Sequence, residues 1–534
     1  MKKAINFIIE AGAFERLITS LRTSLYGVNS HIVPKDVTYS YDSLMFFVEL
    51  HMSDKRDFST YRSGDSKKFT KFGHKVHNFA KRILGLVNQD KECYIPRSAA
   101  VEIVKDLARR LWLALDTDLS LTLYELSIVD DAASWKMILS ASVNPNAIRY
   151  TGNSDLFMRD YQAISFIRKY EGFDFGDERA WTSLQKWVDC ERQCAETNYI
   201  LRNSHLYLSK NERIDVYAVR QVIQNILGAS PSLTEITELA RLGPGATTSC
   251  PSKYCSVFDK IDQEVLDVTP RCYDLANFLM KKEPWSQIMV GELRKRNSGP
   301  LTFIPKKWDE LRPIEPPVDA NMPLQLGLAG WLRRRMKKFG LDLDYQADKN
   351  ALLALKGSRD NSIVTRDLRS ASDTIAYEAI KQTYPRSWFN LMDQLRTTHV
   401  VVSHPDSDKK ESCEVKLQKM SAMGNGFTFE MESLLFLAIL LVACKRNHER
   451  RLPDNIGVFG DDLCYPREHD SEVKRLLSLF GFQSNEQKTF ANGPFRESCG
   501  KDYFKGAPVR PFFMKENLQH VQNLYVLANG IRRA

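Results

Sequence analysis

The sequence predicts a mixed α+β fold, and three stretches predict it. Ile456 to Tyr465, IGVFGDDLCY, is an apolar run, a glycine-acidic turn and a second apolar run, the pattern of a tight β-hairpin. Leu434 to Cys444, LLFLAILLVAC, is unbroken and apolar but too short to span a bilayer comfortably. Polar Glu430 and Glu432 precede it and Lys445 and Arg446 follow it, so it reads as a buried helix and not an anchor. Pro96 to Leu115 carries apolar residues at three- and four-residue spacing, the mark of an amphipathic helix.

Length and composition bound the rest. At 534 residues the chain exceeds one ordinary core, so several subdomains are expected. Hydrophobic residues at 43% and charged residues at 26% exclude a disordered chain. A net charge of +9 and a pI of about 8.9 are compatible with a polyanionic partner without requiring one. The 10 cysteines form no C-x-x-C framework, which points to reduced packing thiols and away from a zinc site. His74 and His77 sit in a basic segment without acidic or thiol neighbours and read as surface residues. No apolar signal region follows Met1.

In chain order, residues 1–150 read as mostly helical, with a basic loop from Tyr61 to Lys75 and no catalytic constellation. Residues 151–360 continue with amphipathic helices. The GPGATTS turn near Leu242 lacks the lysine of a P-loop. Within this block, residues 291–316 set Arg294, Lys295, Arg296, Lys306, Lys307 and Arg312 around a short strand, Leu301 to Ile304, as a basic finger for phosphates. Arg333, Lys337 and Lys338 belong to a second basic cluster, on one face of a helix. Together with Arg294, Arg296 and Lys307 they are the expected RNA-backbone contacts.

Residues 361–500 carry the chemistry. Two adjacent carboxylates, Asp461 and Asp462, at a hairpin tip repel one another unless a cation joins them, and Mg²⁺ accepts such hard oxygen ligands. Ser362 to Asp367 reads as a strand ending in an acid, with Ser370 and Ser372 as caps of a helix starting near Asp373. Asp367 lies 94 positions before Asp461 (461 − 367) and would complete a two-metal site for in-line displacement at phosphorus. Between them, Ser421 to Ser433 supplies Gly424 and Gly426 for close backbone approach, and Asn425 and Thr428 as partners for a ribose. After the hairpin come a helix, a glycine turn and a strand carrying Lys488, and residues 501–534 continue a further β-hairpin with basic ends.

Asp367 in RDLRSASD, the segment MGNGFTFEMES, FGDD, and GPFRESCG with PFFMK together resemble the palm motifs of the RNA-directed RNA polymerases of single-stranded RNA bacteriophages, the replicase catalytic subunit of the Qβ type. The resemblance runs from about Ser154 to the carboxyl end. Phe459 stands where the family usually has Tyr before Gly-Asp-Asp, and Arg366 and Arg369 depart from its apolar and small residues. The resemblance implies a right-hand polymerase: fingers over 151–360, a palm over 361–500 with an antiparallel sheet flanked by helices, and over 501–534 a palm hairpin and the start of a partial or truncated thumb.

By the same resemblance the reaction is attack of a 3′-hydroxyl on the α-phosphorus of an NTP, copying a positive-strand phage RNA. Asp367, Asp461 and Asp462 would hold two Mg²⁺ ions, with Mn²⁺ as substitute. Lys306 and Arg312 would neutralise triphosphate charge, and Lys488 would protonate pyrophosphate. Asp373, with Asn425, Gly424 and Thr428, would read the ribose, which speaks against the rival reverse transcriptase. The other rival is an impaired RNA-binding fragment, because the chain stops at Ala534 where the family continues into a thumb; early dissociation from template is the expectation. Implied partners are RNA template and product, NTPs, host elongation factors Tu and Ts and a small-subunit ribosomal protein, in the cytoplasm of an infected bacterium and without a membrane.

Overall fold

The structure is a computed structural model that describes residues 97–534 apart from 176–177, 229, 251–254, 290, 405–410 and, in the final segment, 516–517, 519–522, 524, 528 and 531–534. The readings of residues 1–96, including the basic loop Tyr61 to Lys75 and His74 and His77, lie outside the described residues, as does much of the stretch after residue 515.

Helices α1 (Arg97–Leu115), α2 (Asp118–Val129), α3 (Ala132–Ser140) and α4 (Ser154–Ser165) open the described chain. Thr117 starts α2 with a reciprocal capping box, its side chain accepting from the Ser120 N–H. These helices bury Val104, Trp112, Trp135 and Ile164 in one core with Phe173 and, from the far end of the chain, Met514, Leu518 and Leu527. That core draws on residues from both sides of position 150.

Two long helices follow, α5 (Glu178–Arg202) and α6 (Lys210–Leu227). Strands β1 (Val265–Val268) and β2 (Glu292–Lys295) pair in parallel. Strand β3 (Ser298–Pro300) leads to the hairpin of β4 (Thr302–Lys307) and β5 (Glu310–Ile314), where the basic finger was expected. Helices α7 (Asn321–Phe339) and α8 (Gln346–Asp360) come next, then β6 (Ile363–Arg366), all four of whose residues are buried. Strands β7 (His399–Ser403) and β8 (Ser412–Lys416) pair with each other and, through β7, with β3.

The apolar run proves to be helix α9 (Thr428–Ala443), with 14 of its 16 residues buried, so that it is apolar on every side because protein covers every side. It packs against α6, α7 and the helix α10 (Asp470–Leu479). Among the described residues no helix is long and apolar enough to cross a membrane. Against α9 and α8 lies a three-stranded antiparallel sheet, ordered β6, β10 (Asp462–Pro466), β9 (Gly457–Phe459). A second antiparallel sheet, β11 (Phe495–Ser498), β12 (Lys501–Phe504) and β13 (Ala507–Pro508), packs on α8 from the other end of the chain.

Candidate active site

The hairpin joins β9 to β10 through Gly460 and Asp461, with Phe459 opposite Asp462. Gly460 has φ +59°, the left-handed conformation that glycine takes without strain. A Cβ there would also stand 2.8 Å from the Phe429 ring. The tip is docked on α9: Gly460 N–H donates to Ser433 Oγ at 3.0 Å, and Phe459 meets Phe429 edge to face with centroids 4.9 Å apart. Phe459 thus supplies the aromatic packing expected of a tyrosine at that position.

Strand β6 pairs with β10 so that Arg366 opposes Leu463. Asp367 follows immediately, and the register carries it alongside the hairpin tip. Arg366 is fully used elsewhere, bonded to Tyr465 Oη at 2.6 Å and to Asp470 at 2.7 Å. Asp367 Oδ1 accepts from Asn485 Nδ2 at 2.8 Å and Oδ2 from Lys488 Nζ at 2.9 Å. Lys488 does not lie on a strand as expected. Isolated bridges of Ser484 to Leu368 and Phe490 to Thr365 bracket a turn, and the turn folds Lys488 back over Asp367.

Burial sets the electrostatics, and neighbouring charge sharpens them. Burial and then Asp367 raise the Asp461 carboxyl above the usual carboxylate range. Burial, Asp461 and Glu497 push Asp462 up to about 7. Glu432, on α9 beneath the tip, is pushed up to about 8 by burial and by Asp461. Burial opposes the charge on Lys488, but Asp367 beside it outweighs this and lifts the ammonium above its ordinary range. Carboxylates that hold each other out of their charged forms are the donor chemistry a hard divalent ion suits. Among the described residues no group of three or more His, Cys, Asp or Glu closes into a ready cage, and Asp367 is bonded to Lys488 and Asn485.

Two further side chains position the pair, and both escaped sequence reasoning. Asn350 on α8, fully buried, donates to the Asp462 carbonyl at 3.0 Å, and a Cβ on Gly457 would meet its Oδ1 at 2.3 Å. Ser498, at the end of β11, reaches Asp462 Oδ1 at 3.5 Å. A lone amide in a helix and a serine in a hairpin carry no sequence signal of such a role. Glu432 did carry one, an acid inside an apolar helix.

Asp373 lies on a 3₁₀ turn, Ala371–Thr374, and is buried against Lys419 Nζ at 2.8 Å. The expected caps are not caps. Ser370 adopts φ +49° without a capping bond, and Ser372 Oγ donates to Glu432 Oε2 at 2.7 Å. In the glycine loop, Gly424 has φ +117° and packs on the Glu315 carbonyl. Asn425 Oδ1 accepts from the Phe427 N–H at 3.3 Å, and its NH₂ has no hydrogen-bond partner among the described residues. Thr428 is buried, its hydroxyl bonded to Ser421 Oγ and to the Ala422 carbonyl, so it braces the loop from within.

The basic residues divide into two kinds. Lys306 pairs with Glu310 at 3.3 Å and draws on Asp461, Lys307 pairs with Asp309 at 3.0 Å, and Arg312 is exposed on β5. Arg294 and Arg296, expected as RNA contacts, grip the fully buried Asp267 at 2.7 and 2.9 Å and tie β2 to β1. On α7, Arg333 bonds Glu430 at 2.6 Å and Lys337 bonds Asp342 at 2.8 Å, while Lys338 is exposed.

Comparison with known proteins bears on this geometry. Residues 124–534 match the family model described as RNA replicase, beta-chain. The RNA-directed RNA polymerase subunit beta of Qbeta virus (strain MX1) is 31% identical over 385 residues, covering 71% of this chain and 63% of that one. The corresponding beta chain of Enterobacteria phage fr is 32% identical over 403 residues (72% and 70%), and that of Enterobacteria phage GA 33% over 407 residues (71% and 72%). The chain thus spans about 63% of the length of the Qbeta MX1 relative. Among solved structures, a human picobirnavirus RNA-dependent RNA polymerase matches with TM-score 0.29 at 13% identity, covering 40% of this chain and 45% of that one. The BmCPV polymerase at elongation state matches with TM-score 0.34 at 10% identity, covering 56% and 28%. At those scores neither bears on the argument.

Proposed function

The chain belongs to the RNA replicase beta-chain family, and from that premise we propose that it is an RNA-directed RNA polymerase, transferring nucleotides from NTPs to a growing RNA strand on an RNA template. One observation carries the reading: antiparallel pairing of β6 with β10 sets Asp367 beside Asp461 and Asp462, and burial with mutual repulsion raises the latter two. In this reading the region around that sheet is a palm, the blocks before it are fingers, and the last residues begin a thumb.

Asp367, Asp461 and Asp462 would hold Mg²⁺, or Mn²⁺ in its place. When bound, such an ion supplies Lewis-acid stabilisation of charge on the phosphate oxygens. The remaining work falls to the chain's own residues. Asn485 and Lys488 orient Asp367 from both oxygens. Lys488 keeps its proton beside that carboxylate, and it is the group that would pass a proton to departing pyrophosphate. Arg312 and Lys306, on the basic hairpin, neutralise triphosphate charge. Asp373 and the Asn425 amide accept from and donate to the ribose, with Gly424 letting the loop approach. Lys307, Arg333, Lys337 and Lys338 lend positive charge along the RNA path.

The resemblance to phage replicases adds host elongation factors Tu and Ts and a small-subunit ribosomal protein as partners, in the cytoplasm of an infected bacterium. The test is primer extension on an RNA template with NTPs or dNTPs and Mg²⁺, with and without those host proteins. NTP-dependent extension lost in Asp461→Asn supports the reading. Extension with dNTPs alone assigns a reverse transcriptase, and none under any condition overturns the proposal.

A further inference from the structure

Lys419 is a fully buried lysine two residues before the glycine-rich segment. Its Nζ donates to Asp373 Oδ1 at 2.8 Å, lies 3.1 Å from Glu191 Oε1 and faces the Trp187 ring at 5.1 Å. Glu191 comes from α5, and its other oxygen accepts from the Gln418 N–H at 2.6 Å. One carboxylate therefore fixes both the ammonium and the backbone that carries it. An ammonium in such a place is costly unless opposite charges and hydrogen bonds surround it, as they do here.

The set is unbalanced in a telling way. Two buried carboxylates, Glu191 and Asp373, share one ammonium. Glu191 has a backbone partner for its second oxygen, whereas Asp373 Oδ2 has no hydrogen-bond donor among the described residues. The backbone of Asp373 is itself tied down, its N–H to the Ser370 carbonyl at 2.9 Å and its carbonyl to the Cys194 thiol at 3.5 Å. With the main chain and Oδ1 fixed, only the direction of Oδ2 is left, and the ammonium sets it. An unpartnered acceptor oxygen held in one direction by a buried ammonium is a site for a donor hydroxyl.

We propose that Lys419, braced by Glu191, is the positioning residue for sugar selection: it locks the Asp373 carboxylate so that Oδ2 accepts a hydrogen bond from a ribose hydroxyl that deoxyribose lacks. This rests on the reading above that the chain is an RNA polymerase whose Asp373 faces the nucleotide sugar. Lys419 touches no substrate and acts through Asp373 alone. Losing the lock should therefore cost ribonucleotides more than deoxyribonucleotides, which a purely structural role would not do.

The experiment measures kcat/KM for NTP and dNTP incorporation by the full chain and by Lys419→Met, Lys419→Arg and Asp160→Asn, each with a thermal melt. Asp160, buried and bonded to Tyr150 Oη at 2.7 Å beside the cluster that Tyr150 forms with Phe157 and Phe504, reports the effect of breaking any buried polar network. Lys419→Met should reduce the NTP/dNTP preference by roughly tenfold or more, the size expected when a site loses a hydroxyl contact. Lys419→Arg keeps the charge but spreads it over a planar group, and should reduce the preference by roughly threefold. Asp160→Asn should lower the melting temperature and leave the ratio alone. Should Lys419→Met fail to fold, the arginine protein decides: an unchanged ratio overturns the proposal. Equal losses with NTP and dNTP overturn it as well. A wild-type chain that shows no ribose preference would instead overturn the sugar reading of Asp373 itself.

Discussion

Replacing Gly424 by alanine is the sharpest perturbation of the candidate site that leaves every charge in place. Its φ of +117° is a conformation that a side chain rarely tolerates, and an added Cβ would stand 2.1 Å from the Glu315 carbonyl oxygen. Backbone strain of that kind costs about 1–3 kcal/mol. Overpacking against a fixed main-chain atom adds about 1–3 kcal/mol. Relief would require the loop to part from Glu315, whose N–H donates to the Met423 carbonyl at 2.9 Å. The sum, about 2–6 kcal/mol, is a large share of the roughly 5–15 kcal/mol by which ordinary domains are stable. Thermal melts of Gly424→Ala and Gly245→Ala measure the difference, since a Cβ at Gly245 meets no atom within 4 Å. Nucleotide incorporation should fall in the first variant only. Identical melting curves for the two proteins would refute the close approach.

Three further outcomes are expected. Asp461→Asn removes a carboxylate that burial and Asp367 already disfavour, so the melting temperature should hold or rise at neutral pH. Incorporation should nevertheless drop by more than roughly a hundredfold, the upper end of losses from changes merely around metal ligands; near-normal turnover would remove Asp461 from the site. Glu315 is pushed up from 4.5 to about 8 by burial, so the folded chain binds this proton more tightly than the unfolded one, and stability is lost as pH rises from about 4.5 to about 8. The melting-temperature gain of Glu315→Gln over wild type should then be absent near pH 4, grow through that window and level off above it; a gain independent of pH would contradict the burial. Arg312→Ala should raise the apparent NTP requirement roughly ten- to a hundredfold, the worth of a charge-assisted phosphate contact, whereas Lys337→Ala should lower the salt slope of RNA binding by about 1. Matching phenotypes would mean that the two basic elements serve one ligand.

Local pattern made the supports of the site legible. The apolar runs flanking Gly460 announced the hairpin, the acid just after β6 announced Asp367, and the long apolar run announced α9. What periodicity cannot report is which distant side chain fills a given hole. Lys488 meets Asp367 across 121 positions and Asn350 meets Asp462 across 112, and neither partner lies in a recognisable pattern. Charge misled for a related reason. Arg294 and Arg296 look like a phosphate-binding run until Asp267, itself in an apolar strand, is seen to take both. Ser370 and Ser372 have the composition of helix caps, but a pairing partner in α9 drew Ser372 away.

The helical core that includes Met514 and Leu518 sets a timetable for synthesis. Leu107 in α1 shares that core with Met514, which is made 407 positions later (514 − 107). At ~5–20 residues per second a ribosome needs roughly 20–80 s to cover that span. For that interval the faces of α1 to α4 lack part of their lining, however quickly each helix forms. The sheet of β6, β9 and β10 closes within a much shorter stretch, so on the ribosome it can be complete while the first helices still wait for Met514 and Leu518 to emerge.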